Sequence, residues 1–226
     1  MWIQRDISHI LERQIASRPV VVLTGARQVG KTSLLRHLYP KWNFVSLDLP
    51  AEAELAEEQP ETFLARYPRP LMIDEVQYAP KVFRHVKVDV DAHRQDSGRF
   101  LLTGSQKFLL MRGVSESLAG RAAVLELEPL SFREIRRALP DLSIEDVLLR
   151  GGYPELYANP TLRPDEYYRS YFSTYLERDV RSLHNVGSLR DFERFVRACA
   201  LRSAQILNKT DLARDVGISA PTANAW

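Results

Sequence analysis

The segment Gly25-Ala26-Arg27-Gln28-Val29-Gly30-Lys31-Thr32 constrains what this chain can fold into more than any other. It satisfies G-x-x-x-x-G-K-[ST] at every specified position, and its surroundings have the order that motif needs. Before it, Val20-Val21-Val22-Leu23-Thr24 is a short apolar run suited to a strand buried on both faces. After it, Ser33 to Tyr39 carries Leu34, Leu35 and Leu38 as a helical stripe, which Pro40 stops. Each specified residue has a physical task. The glycines let the backbone curl so that successive N–H groups point at phosphate oxygens. Lys31 reaches the β/γ-phosphates, and the Thr32 hydroxyl ligates Mg²⁺. The positive N-terminal end of the helix faces the same anion. Gly25 through Ser33 are therefore the candidate nucleotide-binding residues.

The strand-then-helix rhythm repeats along the first half of the chain. Phe44–Leu47 reads as a strand, and the acidic, alanine-rich stretch 51–66 as helix interrupted by Pro60. Leu71-Met72-Ile73 is a third strand, followed by a helix over roughly 80–95. Phe100–Thr103 is a fourth, followed by a helix over 106–118, and Ala122–Leu127 is a fifth. Alternation of this kind implies a mainly parallel sheet between layers of helices, an α/β three-layer core. Ahead of the loop, Ile3, Ile7, Ile10, Leu11 and Ile15 predict an amphipathic helix over 2–16. From Pro129 onward the strand signal disappears. Helices are expected at 131–139, 143–150, 164–185 and 188–206, broken by Pro140, Gly151-Gly152 and Gly187. The expected organisation is a P-loop core over 1–128, a helical subdomain over 129–188 and a truncated winged-helix-like helix-turn-helix over 189–226.

A phosphate loop needs an acidic partner in the same sheet, and Leu71-Met72-Ile73-Asp74-Glu75 supplies apolar strand residues ending in two carboxylates. Asp74 is the expected Mg²⁺ ligand with Thr32. Glu75 is then placed to polarise the attacking water as general base. An arginine is also expected to neutralise charge in the transition state, and Arg121, after Gly120 and just before the fifth strand, is the candidate, in its own subunit or a neighbour's.

The acidic pair resembles that of P-loop ATPases with an added catalytic Glu. That resemblance implies an extra strand between the P-loop strand and the Asp-Glu strand, here 100–103. It also implies a polar sensor at that strand's end, with Ser105 and Gln106 as candidates. Several motifs in order carry a closer likeness: Gly25–Thr32, Ile73-Asp74-Glu75-Val76-Gln77, Leu101-Leu102-Thr103-Gly104-Ser105, Ser115–Arg121, Glu128–Glu134 and Gly151-Gly152-Tyr153-Pro154. Together they resemble the prokaryotic AAA-like ATPases of the AAA_14 type, usually paired with a C-terminal DUF4143 domain. The resemblance implies an ATPase core, a helical segment, a winged-helix-like piece and a nuclease-fold-like C-terminal domain, the last absent from this sequence. It also implies ATP rather than GTP. Asp48, Arg5 and Arg178-Asp179 recur in the family without a derivable role, and Arg5 is expected to be an exposed helix charge, with a place near the adenine or ribose as the alternative.

In the tail, Thr210 is the expected cap of a short helix ending at Val216, Gly217 makes a turn, and Ser219 caps a second helix with Pro221 in its first turn. This is a helix-turn-helix pattern. Only Thr222 and Asn224 could read bases there, and Lys209 and Arg214 are offset by Asp211 and Asp215, so structural docking and DNA contact both stay open. A net charge of +2 adds no argument for nucleic acid. Cys199 lies in an apolar stretch and reads as a core residue. One cysteine, no apolar run long enough for a bilayer and a charged N-terminus without a signal core make the cytoplasm the expected location. Histidines 9, 37, 85, 93 and 184 show no ligand spacing, so no structural metal is proposed. The leading expectation is an ATP-hydrolysing switch or motor with ATP and Mg²⁺ as cofactors and an open oligomeric state. The alternatives are a nucleotide-controlled DNA-binding module and an interaction protein that binds ATP with little turnover.

Overall fold

The central strands are buried on both faces, and the alternation of their side chains between two cores builds the layers. In the computed structural model, which describes residues 1–175 and 188–226, five strands form one parallel sheet in the order β2-β3-β4-β1-β5. They are β1 (Val20–Thr24), β2 (Asn43–Ser46), β3 (Leu71–Asp74), β4 (Phe100–Gly104) and β5 (Ala122–Glu126). Successive strand residues point to opposite faces. Val20, Val22, Leu71, Ile73, Phe100 and Leu102 accordingly enter one core, packed by α3 (Pro50–Glu58), α4 (Pro60–Arg66), α5 (Val82–Ala92) and α6 (Lys107–Ser117). Val21, Leu23, Met72 and Leu101 enter the other, against α1 (Ser8–Ser17) and α2 (Lys31–Leu38). Val20 through Leu23 are fully buried, which stabilises by roughly 1.5–3 kcal/mol per side chain.

Strand β4 sits between β1 and β3, as the likeness to ATPases with an added strand implied. Register then decides the site. Thr24 pairs with Gly104, and Ile73 pairs with Leu102, so the residues leaving β1, β3 and β4 emerge along one edge. The chain leaves β1 toward β2 on one side while β5 lies on the other, and ligands of open α/β sheets bind outside the carboxyl ends at such a reversal.

Three local expectations are corrected. The first helix begins at Ser8 rather than residue 2, although Ile3 is still buried. The helix that follows Ser188 spans Leu189–Leu201 and stops short of 206. The cap of the next helix is Asn208, whose side chain accepts from the Thr210 and Asp211 amides, instead of Thr210.

After the sheet come α7 (Phe132–Ala138), α8 (Ile144–Arg150), α9 (Glu155–Ala158) and α10 (Pro164–Tyr175). The chain divides into two compact units, Met1–Pro164 and Asp165–Trp226. In the second, α11 (Leu189–Leu201), α12 (Lys209–Val216) and α13 (Ala220–Ala225) enclose a small core of Phe195, Leu212, Ala213, Val216 and Ala223. Trp226 meets Phe192 and Phe195 edge-on, at 5.2 and 5.5 Å between centroids. Gly217 adopts φ 81° between α12 and α13, and Ser219 caps α13, so these two form the expected helix-turn-helix. No strand is described among residues 188–226. Cys199 packs on this core, half-buried. Arg178-Asp179, His184 and Gly187 lie outside the described residues. Among the described residues, no helix is long and apolar enough to cross a membrane.

Candidate functional site

The phosphate loop leaves β1 and curls because three of its residues adopt left-handed or otherwise positive φ. These are Gly25 at 142°, Gln28 at 62° and Gly30 at 94°. A side chain on Gly25 would collide with the Leu127 carbonyl oxygen, so only glycine lets the loop pass β5. Lys31 opens α2 and is 5% exposed, with its Nζ donating to the Gly25 and Ala26 carbonyls, each at 2.9 Å. Burial pushes the Lys31 ammonium below its ordinary range, while the nearby Glu75 and Asp74 carboxylates pull it back. Val29 is buried, whereas Ala26, Gln28 and Ser33 are exposed along the loop and the first turn of α2.

Thr32 meets Asp74 across 42 residues of sequence, its Oγ1 donating to the carboxylate at 2.9 and 3.0 Å. Thr103, at the end of β4, makes a short hydrogen bond to Asp74 Oδ1, and the Glu75 amide donates to Thr103 Oγ1 at 3.2 Å. Burial pushes the Asp74 carboxyl up, the two threonine hydroxyls hold it down in part, and the charges of Glu75 and Asp48 add to the rise. Asp48 lies exposed just beyond the end of β2, close enough for that influence. Glu75 takes φ 54°, a left-handed conformation that costs a non-glycine residue of order 1–2 kcal/mol. Its Oε2 accepts from Gln77 Nε2 at 2.5 Å, Ser105 Oγ at 2.8 Å and Ser105 N at 3.1 Å.

The structure therefore gathers Lys31, Thr32, Asp74, Glu75 and Ser105 at one edge, with Gln106 one residue further at the start of α6. Ser105 engages Glu75 directly. Arg121 is not brought to this edge. It precedes β5, whose Ala122 pairs with Val20 at the start of β1, so the length of β1 separates it from the loop, about 16 Å. Its guanidinium grips Asp91 at 2.8 and 3.0 Å. Action of Arg121 on the loop of its own subunit is thereby corrected.

Sequence reasoning passed over four residues. Thr103 and Gln77 lie inside recognised motifs, and their polarity beside a catalytic-type pair was the available signal. Arg5, expected at the surface, is 6% exposed and bonded to Val29 of the loop and to Glu134, which is 4% exposed. No local pattern announces a pairing across 129 residues. The Gly151–Pro154 motif also gains a position here. Gly152 packs against Pro129 and Leu130, and Pro154 lies beside Gly30.

In the second unit, the two side chains able to read bases are engaged internally. Asn224 accepts from Lys209 at 2.6 Å, and the Thr222 and Ser219 hydroxyls are 2.7 Å apart. Arg214 pairs with Asp211 at 2.7 Å, and Arg202 pairs with Asp215.

Comparison with known proteins agrees with the fold. A family model described as an AAA domain, AAA_14, matches residues 17–136, and a domain of unknown function, DUF8612, matches 141–226. Two uncharacterized proteins, from Mycobacterium bovis and Mycobacterium tuberculosis, are each 31% identical over 99% of this chain. This alignment takes in 50% of either relative, so the chain spans about half the length of the curated relatives it matches. Among solved structures, the Walker-type ATPase PABY2304 of Pyrococcus abyssi has the same fold, with a TM-score of 0.54 and 19% identity. It covers 88% of this chain and 80% of that one.

Proposed function

The chain belongs to the AAA domain family of P-loop ATPases, and from that premise we propose that it binds ATP with Mg²⁺ and hydrolyses it, as a switch or motor coupled to a further domain. The observation that carries this reading is the meeting of Thr32 with Asp74 at 2.9 Å, beside Glu75, at the mouth of the phosphate loop. The donor set fits the cofactors. A curled loop that tolerates no Cβ at Gly25 supplies N–H groups, Lys31 supplies a cation, and a hydroxyl and carboxylate together supply hard oxygen ligands.

Thr32 and Asp74 are the residues that would hold Mg²⁺, which would supply positive charge to offset that of the phosphates. The loop N–H groups from Gly25 to Lys31 bind and orient the phosphates, and the Lys31 ammonium exchanges its loop carbonyls for phosphate oxygens. Glu75 accepts a proton from the attacking water. The Ser105 and Gln77 donors that converge on Oε2 leave Oε1 for that proton and fix the plane of the carboxylate. Gln106 is the remaining residue at this edge suited to sensing the γ-phosphate. Arg121 can serve only a neighbouring subunit's site. The test is phosphate release by the full chain with ATP. Turnover that requires Mg²⁺ and disappears in Lys31→Ala supports the reading, and equal turnover in the two proteins refutes it.

A further inference from the structure

We propose that Arg5 is a positioning residue that sets the phosphate loop from behind, with Glu134 as its counter-ion, an inference that rests on the loop binding nucleotide phosphates. Arg5 lies in the segment before α1, far in sequence from the phosphate loop and the acidic pair, yet it is almost fully buried. Its guanidinium addresses three places at once. Nη1 donates to the Val29 carbonyl of the loop at 2.9 Å, Nη2 to the Glu128 carbonyl just after β5 at 2.5 Å, and Nε to Glu134 Oε1 at 3.2 Å. Glu134 is itself held. Its Oε1 accepts from the Asp6 amide at 2.6 Å, and its Oε2 accepts from the Ser131 amide at 2.8 Å in the capping box of α7. Arg137 of α7 adds bonds to Asp6 Oδ1 at 2.7 Å and to the Gln4 carbonyl at 2.5 Å. Trp2 stacks on His37 of α2, 3.9 Å between centroids, so the same N-terminal segment also touches the loop's helix.

The consequence for the loop follows from peptide geometry. A trans peptide is planar, and its C=O and N–H point in opposite directions. Holding the Val29 carbonyl toward Arg5 therefore turns the Gly30 N–H to the opposite side. Gln28 and Gly30, on either side of Val29, both have positive φ; glycine takes it freely, whereas at Gln28 it is a conformation a non-glycine residue seldom adopts. A nest of aimed N–H groups binds anions only while each group keeps its direction. Arginine suits the task because its rigid fork serves three separated acceptors, whereas a lysine ammonium is a compact point charge. A buried ion pair is a weak source of net stability, since desolvation offsets the Coulomb gain. Here the pair supplies direction to a backbone carbonyl.

The experiment measures ADP and AMP affinities of the wild-type chain, Arg5→Lys and Glu134→Gln at a temperature where circular dichroism finds each one folded. Misdirecting one N–H that faces a charged phosphate lowers affinity by about 10–100-fold. The positioning role predicts a loss of that size for ADP in Arg5→Lys, a smaller one in Glu134→Gln, and a fall in the ADP-to-AMP affinity ratio. A purely structural role lowers the melting temperatures and leaves that ratio at the wild-type value, which would overturn the proposal. Where Arg5→Lys does not fold, Glu134→Gln alone decides by the same ratio. Wild type that binds no ADP refutes the nucleotide reading itself, a result distinct from failure of the Arg5 role.

Discussion

The two edges of the sheet are built from the same kinds of residue and behave in opposite ways. At the amino edge the acidic side chains Asp89 and Asp91 are each paired with arginine. Asp89 accepts from Arg69 at 2.7 Å and from Arg99 at 2.6 and 2.9 Å, and Asp91 is gripped by Arg121. The Arg121 guanidinium holds the Asp91 carboxyl below its ordinary range, and Asp91 in turn raises Arg121. At the carboxyl edge two adjacent carboxylates are held mainly by neutral hydroxyl and amide donors, and Lys31 donates to backbone carbonyls. Burial pushes Asp74 up and Lys31 down, each toward its neutral form. Perturbation of this kind marks sites where charge is used, whereas mutual cancellation marks structure.

The largest effect expected from breaking this contrast is at the carboxyl edge. Gly25→Ala drives a Cβ into the Leu127 carbonyl at a φ of 142°, and urea denaturation should register a loss of about 3 kcal/mol. At the amino edge, Asp89→Ala strands Arg69 and Arg99, whose side chains are 18% and 13% exposed. The cost should be about 2 kcal/mol, below that of a fully buried pair because solvent reaches all three groups. ATP affinity of the folded Asp89→Ala protein should match wild type, and a large drop would erase the distinction between the edges.

Asp74→Asn should behave in the opposite sense. A carboxyl whose folded pKa is raised contributes stability that is present below its ordinary pKa and lost as pH rises through the raised value. In nucleotide-free protein near neutral pH, Asp74→Asn should therefore melt at or above wild type, and lowering the pH should remove the difference. The smallest effect is expected for Arg121→Ala. The depressed Asp91 pKa gives stability present above the ordinary carboxylate range and lost as pH falls through the depressed value, so the variant should melt lower at neutral pH and equal wild type in acid.

Legibility in the sequence followed the distance over which each feature is encoded. The loop, its strand and its helix were readable because they are contiguous, and Asp74-Glu75 was readable because a strand ends there. The place of β4 beside β1 came from resemblance, since strand order is not a local property. Arg121 was left open between its own subunit and a neighbour's although a simple rule bears on the choice. In a parallel sheet, a residue that precedes one strand lies on the edge opposite a loop that follows another. Arg5 had no such signal, because its partners come from the loop, the end of β5 and α7, and the apolar spacing of Ile3 and Ile7 suggested helix through a segment that is not helical.

The central claim is that the carboxyl edge performs hydrolysis, with Glu75 as base. It is tested most directly by measuring ATP affinity and single-turnover hydrolysis of Glu75→Gln beside wild type in Mg²⁺. With Glu75 as base, ATP affinity should stay within a few-fold of wild type and the hydrolysis rate should fall by about 10²–10⁴-fold. An undiminished rate with Glu75→Gln would contradict it.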